Sequence, residues 1–145
     1  MKIIIKDQQL DDELQELYLE SKHWLSDLHF AEHEIRFLRK MINNYLVPAL
    51  KKEQLNKIEG FSKALARHDA NIPRMKNKIT ELLKLLGILI NETKKEIGMD
   101  LIEQFAALET EMKTLFEAVK EVKKLLFVFA EDLMKTECNV FVSQL

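Results

Sequence analysis

Apolar residues recur along most of the chain in alternating steps of three and four. The first series runs Leu10, Leu14, Leu17, Trp24, Leu28, Ala31, Ile35, Leu38, Ile42 and Tyr45, broken only at Ser21. The second runs Ile58, Phe61, Leu65, His68, Ile72, Met75, Ile79, Leu82, Leu86, Leu89 and Thr93. The third runs Leu101, Phe105, Leu108, Met112, Leu115, Val119, Val122, Leu126, Phe129 and Leu133. Only Ser21, His68 and Thr93 are not apolar at these positions, in a chain that is 47% apolar overall. A repeat of 3.5 residues held this long predicts helices packed in a left-handed, coiled-coil-like sense. The fold class expected is all-α: an antiparallel up-down-up bundle of three long helices, over 8–47, 54–97 and 101–136. The repeating segment in each is about 35 to 38 residues, a rod of about 55 Å at 1.5 Å per residue. Similar lengths joined by short connections suit such a bundle.

The punctuation supports these boundaries. Asp7 can cap the first helix. Pro48 disfavours helical geometry at Val47 and should end or kink that helix. Gly98 suits a left-handed C-cap for the second. Asp100, with Glu103 three residues on, suits the start of the third. Pro73 allows two readings. Either it kinks a continuous second helix, or it breaks that helix after a cap at Asn71 and makes a four-helix bundle. The series stays in phase from Leu65 through His68 and Ile72 to Met75, which favours the continuous helix.

Two stretches are apolar almost all round: "LLKLLGILI" over 82–90 and "LLFVFAEDLM" over 125–134. A helix wet on one side does not look like this. The second should lie level with the middle of the first helix, where Phe30, Phe37 and Met41 add an apolar stripe outside the heptad series. Something should cover both stretches. The tails "KIIIK" and "NVFVSQL" are one candidate, and a second copy of the chain is the other, which we favour. The expected interaction surface is Phe30, His33, Phe37, Met41, Phe127, Val128 and Met134.

Composition narrows the class. The chain has 145 residues, enough for one domain over 1–145, with 3 glycines and 2 prolines to encode turns. A net charge of −2 leaves no basic footprint for nucleic acid. Lys and Glu interleave, as on solvated helix faces. The single cysteine, Cys138, can form no internal disulfide, which fits a reducing compartment. "MKIIIKDQQ" has three apolar residues between two lysines, too few for a secretory signal. No apolar run approaches the roughly 20 residues of a transmembrane helix. The expectation is a cytoplasmic protein with no transmembrane segment.

The candidate chemistry rests on histidines. "HFAEHEIRFLRK" (29–40) carries His29 and His33 four apart, and His33 opens the tetrad His-Glu-Ile-Arg. With Leu28 and Ile35 inside, both rings and that of His23 point outward. "HEIR" at 33–36 is similar to the first half of the phosphoacceptor box of histidine-kinase dimerisation domains. That resemblance would imply an exposed phosphoaccepting His33, with Glu34 as base or orienting group. It covers four residues: Phe37 and Leu38 stand where the box has Thr/Asn and Pro, and no ATP-binding domain follows. Lysine and glycine, which follow the histidine in histidine phosphotransfer domains, are replaced by Arg36 and Phe37.

Histidines at i and i+4 share a helix face and can chelate one metal ion, but two ligands do not complete a site. Glu20 and His23 have the Glu-x-x-His spacing of di-iron bundles, without a second such pair. His68 occupies a core position in the middle of the second series, with approximate neighbours Ile35 and Phe129. It could be a core-edge histidine bonded to a carbonyl freed by Pro73 or to water. It could also be a pH-sensitive or ligand-contacting group in a small polar pocket with Asp69 and Asn71. Trp24, Met41, Met75 and Met112 fit the core or its flank. There is no phosphate loop, nucleophile elbow or cysteine cluster.

The function expected is therefore non-catalytic, with no cofactor: self-association or binding of a helical protein partner. The alternative is a metal or small-ligand site near His68, with His29 and His33 as weaker metal candidates. The third reading is a phosphoacceptor at His33.

Overall fold

A computed structural model describes the backbone of residues 2–3, 7–92 and 97–144, with side chains over 10–92 and 97–135. Three long helices pack against one another: α1 (Asp7–Met41), α2 (Lys52–Asn91) and α3 (Met99–Gln144). Two short strands, β1 (Lys2–Ile3) and β2 (Ile97–Gly98), pair antiparallel at the end where α1 and α3 begin. The expected three-helix architecture is thus observed. α1 packs most extensively on α2, α2 less on α3, and α1 least on α3. Among the described residues no helix is long and apolar enough to cross a membrane.

The heptad series accounts for nearly all of the core. Leu28, Ile35 and Leu38 of α1, Leu65, Ile72, Ile79 and Leu86 of α2, and Leu108, Leu115 and Leu126 of α3 are all buried. Ser21, the polar interruption in α1, is fully buried as well. Its hydroxyl donates to the Leu17 carbonyl at 2.8 Å, so the series tolerates it without an orphaned polar group. Trp24 stacks on Phe105 with ring centroids 4.7 Å apart, tying α1 to α3.

Departures from the expected boundaries have local causes. The first α-helix ends at Met41, and the chain continues as a π-turn (Ile42–Leu46) and a 3-10 turn (Val47–Ala49). Pro48 lacks an N–H and its ring would strike a carbonyl one turn back. The wider turn, in which Val47 N–H reaches the Ile42 carbonyl, accommodates it. Val47 itself keeps helical dihedrals, contrary to expectation. The extra residue in that turn also moves the inward position from Tyr45, which is 74% exposed, to Leu46, which is buried.

α2 starts at Lys52, earlier than expected. Gln54 closes that end: its side-chain oxygen accepts from Lys51 N–H at 3.0 Å, half of a capping box. α2 then runs unbroken through Pro73, so the four-helix alternative with a break there is excluded. Pro73 faces solvent, where the carbonyl it leaves unbonded can be hydrated.

α2 ends at Asn91, not at 97. The Asn91 amide donates back to the Gly87 carbonyl at 3.0 Å, and Glu92 turns extended. Gly98 is no left-handed cap; it lies in β2, and no glycine has positive φ. Asp100 falls within the first turn of α3, which begins at Met99 and passes the expected end at 136 to reach Gln144. The Asp7 side chain, Thr93, Cys138 and the tail side chains lie outside the described residues.

Candidate functional site

The two concavities that bear on function flank α3. The larger, about 580 Å³, lies between α2 and α3 at mid-height. α2 contributes Arg67, His68, Asn71 and Arg74, and α3 contributes Thr110, Glu111, Thr114 and Leu115. Glu111 is the organising acceptor. It takes a hydrogen bond from Arg74 at 3.0 Å and one from Lys78 at 3.3 Å. Burial alone would raise its pKa; those two bonds outweigh it and hold the carboxyl below its ordinary value. Arg74 also donates to the Asn71 side-chain oxygen at 2.9 Å, so the Asn71 NH₂ faces only the Met75 sulfur, 3.6 Å away.

His68 lines this concavity, as the polar-pocket reading expected, but its surroundings differ. Arg39 pairs with Asp69 at 3.4 Å and Lys76 with Glu32 at 3.3 Å, which sets the α1–α2 register. Asp69 therefore points toward α1 and does not join His68. Phe129 packs on Phe61, centroids 6.1 Å apart, about two turns from His68. From α3, Thr110, Glu111, Thr114 and Leu115 line the concavity with His68. Its ring makes no bond to a carbonyl freed by Pro73 among the described residues. Burial, then the charge of Arg67, lowers its pKa and keeps the ring neutral near pH 7.

The second concavity, about 340 Å³, lies between α1 and α3. Its floor is Ala31 and Val119, and its walls include Phe30, Phe116 and Lys120. Glu34 of α1 pairs with Lys123 of α3 at 3.6 Å. That pair puts 125–134 beside the last third of the first helix, about one turn beyond the level expected. One turn past the pair stand Phe37 on α1 and Phe127 on α3. Phe30 and Phe37 are 66% and 62% exposed, and Phe127 and Met134 are exposed as well. The Lys123 ammonium also lies 5.9 Å from the centre of the Phe127 ring.

Of the expected surface residues, Phe30 lines this groove, Phe127 lies beside its Lys123, and Phe37 and Met134 are exposed outside its lining. Met41 is half-buried against the core and Val128 is exposed on the side of α3 turned toward α2. His33 stands on the outer face of α1. Its Nε2 is 3.1 Å from that of His29, with the rings edge-on. The pair offers two nitrogens to a metal. Among the described residues no group of three or more His, Cys, Asp or Glu side chains could hold one. Glu20 faces Glu109 of α3, not a ligand set: burial and the charges of Glu109 and Glu16 raise its pKa.

Sequence reasoning missed Arg67, Arg74, Thr114 and Glu111. Arg67 and Arg74 stand seven apart on one α2 face, a signal that was present but reads as an ordinary wet face until α3 is placed beside it. Comparison with protein-family models, with curated proteins and with solved structures finds no match to this chain.

Proposed function

We propose that the chain is a non-catalytic self-association module, active in a reducing compartment such as the cytoplasm, and that the α1–α3 groove takes a second copy of itself. The observation carrying this reading is three exposed phenylalanines, Phe30 at the groove and Phe37 and Phe127 one turn past its Glu34–Lys123 pair, beside an apolar floor. Large side chains left exposed among the described residues form the kind of patch that marks an interface.

Charge favours a second copy over an unrelated helix. The α1 side of the groove carries Glu34, and its α3 side carries Lys120 and Lys123. A two-fold axis along the bundle sets α1 of each copy opposite α3 of the other at the same level. Phe37 then meets the other copy's phenylalanine at position 127, and Glu34 meets its lysine at position 120. Lys120 has no acidic partner within its own chain among the described residues.

Light scattering after size exclusion tests this. The wild type should show twice the 17.1 kDa chain mass. Phe37→Glu and Phe127→Glu should each give a helical monomer, while Ile88→Glu on α2 leaves the dimer intact. A monomeric wild type at about 100 µM, too weak for a dedicated dimer, overturns the reading. So does a dimer that both groove variants leave unchanged, which would place the contact elsewhere.

A further inference from the structure

The α2–α3 concavity has a surplus of hydrogen-bond donors. The chain has four arginines: Arg36, Arg39, Arg67 and Arg74. Three are ion-paired, with Glu32, Asp69 and Glu111. Arg67, at the mouth of the concavity, has no partner among the described residues. The Thr114 hydroxyl likewise bonds to no protein group there. The Asn71 NH₂ meets only a thioether sulfur, a weak acceptor. His68 adds a ring that can donate. Opposite them stands one acidic group, Glu111, and Arg74 and Lys78 already occupy its two oxygens.

We infer that this concavity is a binding site for a small organic oxyanion, a phosphate monoester or carboxylate carried on an apolar body. Arg67 supplies the charge and a forked donor suited to an oxyanion. Thr114, Asn71 and His68 supply further donors from both helices, and Ala70 and Leu115 line the part that receives the apolar body. Arg74 holds Asn71 in place through its 2.9 Å bond and is itself fixed by Glu111. The concavity, about 580 Å³, matches the usual size range of small-molecule sites.

An anion beside His68 favours its charged form, so binding should take up a proton. The charged groups that line the concavity with His68 are Arg67 and Arg74 on its own helix and Glu111 from α3, which also pairs with Lys78. Asp69 and Arg39 pair with each other on the α1 side. His68, held below its ordinary value of 6.5, is the base this uptake would protonate, so affinity for benzoate, whose own charge is constant there, should rise as pH falls below that value.

Titration calorimetry with phenyl phosphate, benzoate and inorganic phosphate tests the site on the full chain. Phenyl phosphate should bind, about tenfold more tightly than inorganic phosphate, because only it covers Leu115. Arg67→Ala should weaken binding about tenfold or more, with Arg67→Lys intermediate and Lys120→Ala, in the other groove, unchanged. Phe37→Glu should leave binding intact, so failure of the dimer reading and failure of this one are distinguishable. No binding of phenyl phosphate or benzoate at about 10 mM overturns the inference. Binding that Arg67→Ala does not weaken, or that Lys120→Ala weakens equally, also overturns it, since the anion would then be held by general surface charge. A folded, helical Arg67→Ala protein, checked by circular dichroism, keeps the result interpretable.

Discussion

α3 has two long sides, and they are built differently. The side facing α2 is polar at mid-height, where Glu111 is gripped by Arg74 and Lys78. The side facing α1 is apolar at the same height and above, where Phe30, Phe116 and Phe127 surround one ion pair, Glu34–Lys123. The floors of both come from the same heptad, Leu115 on one side and Val119 on the other. The repeat therefore dictates the bundle, while the residues flanking it decide what each groove can accept. A donor-rich groove suits an anion, and a phenylalanine-lined groove suits another protein surface.

The largest expected effect tests whether the two floors are equally part of the core. Leu115→Ala should destabilise the bundle by about 2–5 kcal/mol, since it removes a buried side chain at a wall already bordered by open space. Val119→Ala should cost about 1.5 kcal/mol, the loss of two methyl groups. Denaturant unfolding of both variants gives the ratio. Equal costs would mean that the apolar groove is as tightly closed as the polar one.

The fold was legible in the sequence because burial of a helical stripe is a one-dimensional signal. Leu28, Ile35, Leu65, Ile79 and Leu126 fall where the repeat puts them. Register between helices is not one-dimensional. His68 stood out as a polar residue in the series, but its partners depended on ion pairs such as Arg39–Asp69, which no spacing within one helix reveals. The same blindness hid Arg67 and Thr114, ordinary surface residues until two helices bring them together. Tyr45 and Gly98 failed for a local reason. Pro48 widened one turn, and Asn91 ended α2 before Gly98 was reached. The exposed phenylalanines of α1 were visible at once, because a large apolar residue outside the repeat has no other explanation within a helix.

A smaller effect sharpens the polar side. Glu111→Gln removes the charge that Arg74 and Lys78 share, at a cost of about 0.5–1 kcal/mol for a partly exposed network. The Glu111 carboxyl titrates below its ordinary value of 4.5, so its contribution is fully present above that pH and disappears as pH falls through the lower folded value. The gap between wild type and variant should therefore be widest at pH 7 and narrow as pH falls below 4.5, measured by thermal unfolding. A gap that persists there would mean that the amide loses packing and not charge.

The smallest effect runs the other way and belongs to the α1 side. Below the phenylalanines, Glu20 lies in the field of Glu109 and Glu16, partly desolvated, and its pKa is raised. A carboxyl with a raised folded pKa contributes most below its ordinary value and loses that contribution as pH climbs through the folded value. At pH 7 the ionised group works against the fold, so Glu20→Gln should stabilise by a few tenths of a kcal/mol, an advantage that vanishes near pH 4. Glu109→Gln should do the same, because it relieves the same repulsion from the other helix. The double variant should then gain less than the sum of the two, since each substitution removes what the other would have relieved. Additive gains would mean that the two carboxylates do not sense each other across the α1–α3 interface. The acidic lower half of that interface would then have no part in leaving α1 and α3 the least closely packed pair.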